Sequence, residues 1–135
     1  MNKIFLDSSF IIALVNENDD LHEKAKELVK TKILQENEIY ISNLIINEVI
    51  TVVGNIINTN VAIDTYNLLV ELCIILNEYK ENNFNNNVIN YYSFYKNKLS
   101  FVDCSRLELM KIYDIPYLVS YDKEFKRVNE IELIN

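Results

Sequence analysis

The sequence predicts an α/β fold built on a mainly parallel sheet of about five strands. Short strand-like runs at Ile4–Leu6, Ile39–Ile41, Cys73–Leu76, Tyr117–Ser120 and Glu132–Ile134 are separated by stretches in which apolar residues recur at helical spacing. Unbroken apolar runs suit strands covered on both faces, and strands alternating with helices build parallel sheets. With 135 residues, one Gly and one Pro, the chain reads as a single domain over 1–135, without a linker at which to divide it.

Ile4-Phe5-Leu6 is ended by Asp7-Ser8-Ser9, where Asp7 or Ser8 can cap a short apolar helix from Phe10 to Val15. Asn16 to Asp20 is a polar turn, after which Leu21, Ala25, Leu28 and Val29 mark one helix face. Beyond the second strand, Ser42 or Asn43 caps a helix that is apolar on nearly every side and is expected to be largely buried; it holds Gly54 inside or near its end. A further helix covers Asn60 to Glu71. Cys73–Leu76 reads as the third strand, with one long helix to Tyr79 as the alternative. Asn82 to Asn87 is polar and expected to be exposed, as a loop or as a helix cap. Phe84, Val88, Tyr91 and Tyr95 then recur at helical spacing, and Ser100-Phe101-Val102-Asp103 opens a helix carrying Leu109, Met110 and Tyr113. Pro116 ends that region. The fourth strand, a helical turn at Lys123–Val128 and the last strand follow.

Four carboxylates stand where such a sheet could gather them: Asp7, Glu48, Asp103 and Asp122. Asp7 and Asp122 each lie just past the carboxyl end of a strand, the edge at which open α/β sheets bind ligands. Each acid also has a plain structural role available. Asp7 and Asp122 fit helix caps, and Asp103 completes a capping box with Ser100. Glu48 is the most informative, because a carboxylate in an apolar helix is costly unless it is paired or metal-bound; the alternative is an exposed Glu on a narrow polar stripe with Asn47. Two like charges ~5 Å apart repel by ~3 kcal/mol at an effective dielectric near 20. Acids brought into one cleft therefore call for protons or a cation. Oxygen-only ligands favour Mg²⁺ or Mn²⁺ over zinc, and such an ion suits phosphate chemistry.

Net charge is −7, which argues against broad nucleic-acid binding through a basic surface. The balance is uneven, however: residues 86–127 hold seven Lys/Arg against five Asp/Glu. A phosphate-facing surface would draw on Lys96, Lys98, Arg106, Lys123, Lys126 and Arg127, which equally suit ordinary solvated positions. Cys73 and Cys104 fit no metal spacing and read as reduced core thiols of a cytoplasmic protein. No signal peptide and no apolar run of membrane-spanning length is visible. His22 is the only histidine, so paired-imidazole ribonuclease chemistry is excluded. A single Gly leaves no P-loop or dinucleotide fingerprint. Tyr91, Tyr92 and Tyr95 suit packing better than base stacking.

The chain resembles the PIN-domain family, and within it the small VapC-type toxins of toxin–antitoxin pairs. The likeness lies in Phe5–Leu14 (Asp7-Ser8-Ser9 at its head), Leu21–Ala25, Ser42–Val49 with Glu48, Leu99–Asp103 and Val119–Phe125. It implies a three-layer sandwich, with helices on both faces of the sheet, and a Mg²⁺- or Mn²⁺-dependent endoribonuclease. Carried over residue by residue, Asp7, Glu48, Asp103 and Asp122 fall on the family's four acids, as catalytic groups and metal ligands. Ser8 and Ser120 fall on supporting hydroxyls, and Glu124 on a variable extra acid. The resemblance also implies an RNA substrate, a cognate antitoxin and a homodimer. The alternatives are a stand-alone RNA-processing nuclease, a non-catalytic PIN-fold binding module, and an acid-cluster phosphatase. The last is disfavoured because Ser9 stands where a covalent aspartyl phosphatase would carry its second acid.

Overall fold

β1 (Lys3–Leu6) forms the middle of a five-stranded sheet of order β3-β2-β1-β4-β5 in a computed structural model that describes residues 1–135. The other strands are β2 (Glu38–Ser42), β3 (Ile74–Leu76), β4 (Tyr117–Val119) and β5 (Glu132–Ile134), and every neighbouring pair is parallel. The chain adds β2 and β3 on one side of β1, then returns to add β4 and β5 on the other. The order thus reverses between β1 and β4, and a ligand crevice is expected at the carboxyl ends of those two strands. Their register pairs Leu6 with Val119, so Asp7 and Ser120 emerge side by side. The Asp7 amide continues the ladder by donating to the Val119 carbonyl at 2.9 Å.

Six helices flank the sheet: α1 (Ser8–Val15), α2 (His22–Lys30), α3 (Asn43–Ile56), α4 (Thr59–Leu72), α5 (Phe84–Phe94) and α6 (Phe101–Ile112). Short 3-10 turns follow β3 (Glu78–Lys80) and β4 (Lys123–Arg127). The result is the expected three-layer α/β sandwich. Phe5, Phe10, Ile41, Ile45, Leu109, Leu118 and Phe125 are fully buried at its centre. No helix is long and apolar enough to cross a membrane.

Local chemistry explains the helix starts. Ser42 accepts from the Ile45 amide at 3.4 Å, and buried Glu78 reinforces the same end of α3, its two oxygens accepting from Asn43 N (3.1 Å) and Leu44 N (3.2 Å). Four orphan amides at a helix N-terminus attract an anion for this reason. Asn58 caps α4 through the Val61 amide, and Ser100 with Asp103 forms the expected capping box of α6.

Of the two readings of the Asn run, the helix cap holds: Asn83 takes a left-handed φ of 55°, which Asn tolerates, and helix α5 begins at Phe84. Two expectations are corrected. The third strand is only Ile74–Leu76, with Cys73 as the cap that ends α4. α3 is not buried all round. Ile45, Ile46, Val49 and Val53 face inward, while Asn47, Glu48 and Thr51 form an exposed outer stripe.

Candidate active site

Asp7 does not cap α1; its side chain makes no bond to the helix amides. It is held by the β1–β4 crevice instead. Ser120 Oγ donates to Asp7 Oδ2 at 2.6 Å, and Ser9 Oγ donates to the same oxygen at 3.0 Å. Ser9 Oγ also accepts from the Tyr121 amide at 2.9 Å, and Ser120 Oγ accepts from the Asp122 amide at 3.1 Å. Two hydroxyls, one from each side of the topological switch, thus fix one oxygen of a carboxylate that is only 3% exposed.

The other oxygen, Oδ1, faces Arg106. The Arg106 side chain is 4% exposed, and its guanidinium stands among three acids. Its Nη1 donates to Asp103 Oδ1 at 2.7 Å and its Nη2 to Glu48 Oε2 at 2.5 Å, with Ser8 Oγ at 3.4 Å. Its Nε lies 2.9 Å from Asp7 Oδ1, but the N–H is not aimed at that oxygen. Asp7 Oδ1 and Arg106 Nε are therefore in charge contact while both are buried without a hydrogen-bond partner. Orphaned buried polar atoms of this kind are rare and call for an explanation.

Asp103 sits in the first turn of α6, where Oδ2 accepts from the Ser100 amide at 3.1 Å. Burial raises its pKa above the usual carboxylate value, against the lowering effect of Arg106 and Ser100, and the charge of Asp122 adds to the rise. Asp122 therefore lies within electrostatic reach of the cluster, while its own Oδ1 caps the following turn by accepting from the Glu124 amide at 2.9 Å. Glu48 approaches from α3; its side chain is 44% exposed, so the buried position expected for it is corrected to the rim of the crevice. Glu124 is exposed and pairs with Arg127 on the outside of the same turn.

Sequence reasoning places Asp7, Glu48, Asp103 and Ser120 at the site, and the structure brings them together. Ser8 touches only the guanidinium there. Ser9 is a site residue that the sequence did not single out, and Arg106, expected only as one of several basic residues of a phosphate-facing surface, turns inward onto the acids instead. Arg106 follows Asp103 by three residues on α6, a spacing equally common between solvated surface charges. Beside the cluster lies a hollow of about 510 Å³ lined by Asn47, Glu48, Thr51, Ser100, Asp103 and Arg106. Hollows of about 520 and 640 Å³ lie around Tyr91, Lys111 and Glu130, among residues that do not belong to this cluster.

Three carboxylates around one guanidinium leave a formal charge of −2, so an oxygen-rich, net-negative crevice is present. The donor set has the chemistry for a hard divalent cation. In this arrangement, however, no three acids are grouped to hold a metal ion, because the guanidinium stands between them.

A parallel sheet with acids at its switch point is an α/β domain whose candidate crevice lies where such folds bind ligands. The PIN domain family model matches residues 4–131, and the chain belongs to that family. In fold it is similar to Mycobacterium tuberculosis VapC20, a sarcin-ricin loop cleaving toxin. The identity is 20%, with 93% of this chain and 95% of that one covered, and a TM-score of 0.80. It is also similar to a chain of Rickettsia felis VapBC2 bound to a fragment of promoter DNA (17% identity, 98% of each chain, TM-score 0.72). A third likeness is to DNA-bound VapBC from Salmonella typhimurium (12% identity, 99% and 98% covered, TM-score 0.69). No curated protein matches the sequence.

Proposed function

We propose that this chain is a Mg²⁺- or Mn²⁺-dependent endoribonuclease that acts as the toxin of a toxin–antitoxin pair. The observation that carries the reading is the convergence of Asp7, Glu48 and Asp103, from three separate elements, on one point of the crevice. Membership of the PIN family and the fold shared with VapC20 support it. Asp7, Glu48 and Asp103 are the groups that would hold the ion, with Asp122 beside them. A divalent ion bound there would acidify a water and offset the charge of a scissile phosphate.

The chain's own residues set the geometry. Ser9 and Ser120 fix Asp7 Oδ2, which leaves Oδ1, an oxygen that accepts no hydrogen bond, as the ligand position. The Ser100 amide orients Asp103 in the same way. Both acids are thus held before any ion arrives, which lowers the cost of ordering them. Glu48, on the rim, remains within reach of a bound strand. The reaction adds water to phosphorus and breaks the P–O3′ bond, leaving a 5′-phosphate and a 3′-hydroxyl.

A protein partner fits the rest of the surface. Ile63, Tyr66 and Val70, which share one side of α4 at helical spacing, are large apolar residues left exposed, and exposed apolar surface of that kind marks interaction surfaces. An antitoxin and a second copy of the chain are the occupants this reading calls for, in the cytoplasm. The test is cleavage of a labelled RNA, with p-nitrophenyl phosphate as the generic ester, each with and without Mn²⁺. The wild-type chain should cut RNA only with the ion, Asp7→Asn should be inactive but folded, and the generic ester should be left intact. Equal RNA cleavage by Asp7→Asn, or in chelator, would refute the site.

A further inference from the structure

The acid cluster already has a cation, supplied by the chain itself. Nη1, Nη2 and Nε of Arg106 each face a different carboxylate, those of Asp103, Glu48 and Asp7. A guanidinium in that place and a divalent ion among the same oxygens exclude one another, because they need the same space between the carboxylates and repel. The guanidinium also does the job incompletely. Asp7 Oδ1 is buried yet accepts no hydrogen bond, and Arg106 Nε is equally unsatisfied. The innermost contact of the three is thus the loosest, and it leaves Asp7 Oδ1 without a hydrogen bond.

We propose that Arg106 is an internal counter-cation that latches the site against metal, and that a divalent ion enters only as the guanidinium withdraws. The inference rests on the metal-dependent reading above. The route out is present: Arg106 lines the adjoining hollow of about 510 Å³ together with Glu48 and Asn47. A guanidinium moving outward leaves Asp7 and Asp103 first. It keeps Glu48, whose side chain is 44% exposed, against 4% and 16% for the other two. The latch serves the metal-free chain as well, since without it three carboxylates would share the crevice with no positive charge among them.

The test titrates Mn²⁺ alone into the wild-type, Arg106→Met, Arg106→Lys and Asp7→Asn chains by calorimetry, with circular dichroism to confirm the fold. A latched population divides the observed affinity by the unlatched fraction, so Arg106→Met should bind Mn²⁺ about tenfold tighter or more if about a tenth or less of the wild-type chain is open. Arg106→Lys should fall between. Metal-free Arg106→Met should melt below the wild type, with Mn²⁺ closing the gap. A second arm needs no variant. The chain has two arginines, Arg106 and Arg127, so their side-chain ¹⁵N–¹H signals are separable. Saturating Mg²⁺ should shift the Arg106 Nε–H signal of the wild-type chain and leave that of Arg127 in place. If Arg106→Met binds Mn²⁺ with the wild-type affinity, or if Mg²⁺ leaves the Arg106 signal unmoved although calorimetry shows binding, the latch is refuted and the metal site stands. If none of the chains takes up Mn²⁺, the metal-dependent reading itself fails and the latch goes with it. Should Arg106→Met not fold, the wild-type spectrum decides.

Discussion

Ser120→Ala tests whether the crevice is held together from the β4 side. Ser120 is fully buried, and its hydroxyl donates to Asp7 Oδ2 at 2.6 Å while accepting from the Asp122 amide at 3.1 Å. A hydrogen bond to a charged group contributes about 1.5–3 kcal/mol. Ser9 still donates to the same oxygen at 3.0 Å in the variant, so the carboxylate is not stripped of partners. The expected loss is therefore about 2 kcal/mol, in the lower half of that range. For a chain of 135 residues each kcal/mol moves the melting temperature by about 3–4 °C, so the variant should melt about 6–8 °C lower. Urea denaturation with an unchanged slope gives the free energy directly. Metal-dependent cleavage should fall by about ten- to a hundredfold, the usual cost of losing a group that orients a metal ligand. A destabilisation below about 0.5 kcal/mol, the range of an uninvolved surface change, together with full activity would refute the role assigned to the hydroxyl.

Three further outcomes follow from the same geometry. Gly54→Ala should stabilise the chain by about 0.5–1 kcal/mol in urea unfolding, because Gly54 lies within α3 and an added Cβ would meet only the Ala62 Cβ at 3.8 Å. Glu78→Ala should cost about 2 kcal/mol in the same assay, since it removes both carboxylate oxygens from the start of α3, with Ser42 remaining as the cap. Burial pushes the Cys73 thiol up to about 11, so the folded chain holds that proton where the unfolded chain has lost it. Stability from this group is full below its ordinary value of 9.0 and is lost as pH rises from there through about 11. At pH 8 the thiolate is scarcer by about two orders of magnitude, partly offset by greater nucleophilicity, so alkylation of native Cys73 should run roughly tenfold slower than in urea.

The strands were readable because each is a short apolar run closed by polar residues, and the candidate acids Asp7 and Asp122 because each lies shortly past a strand end. Asp103 was readable twice over: its capping box with Ser100 and its place in the cluster use different oxygens of one carboxylate. Arg106 was legible only as one of several basic residues, not as the partner of the acids. A single arginine on a helix reads as a solvated charge, and only the three-dimensional meeting of α1, α3 and α6 turns it inward. The burial inferred for Glu48 failed for a related reason. The apolar residues of α3 are numerous enough to suggest burial all round, yet packing against α1 and α4 uses one side and leaves Asn47, Glu48 and Thr51 outside. The start of α5 was hidden because Asn is as acceptable in a helix N-terminus as in a loop, and only the left-handed turn at Asn83 fixes where one becomes the other.

The central claim is that the crevice acids direct water, with a divalent ion, onto an RNA phosphodiester. The most direct measurement is the chemistry of the ends produced when the wild-type chain cuts an end-labelled RNA in Mn²⁺. The account predicts a 5′-phosphate and a 3′-hydroxyl, formed by the wild type and absent with Asp7→Asn. Products ending in a 2′,3′-cyclic phosphate, formed equally by both chains, would contradict it, because attack by the neighbouring 2′-hydroxyl needs neither the ion nor Asp7.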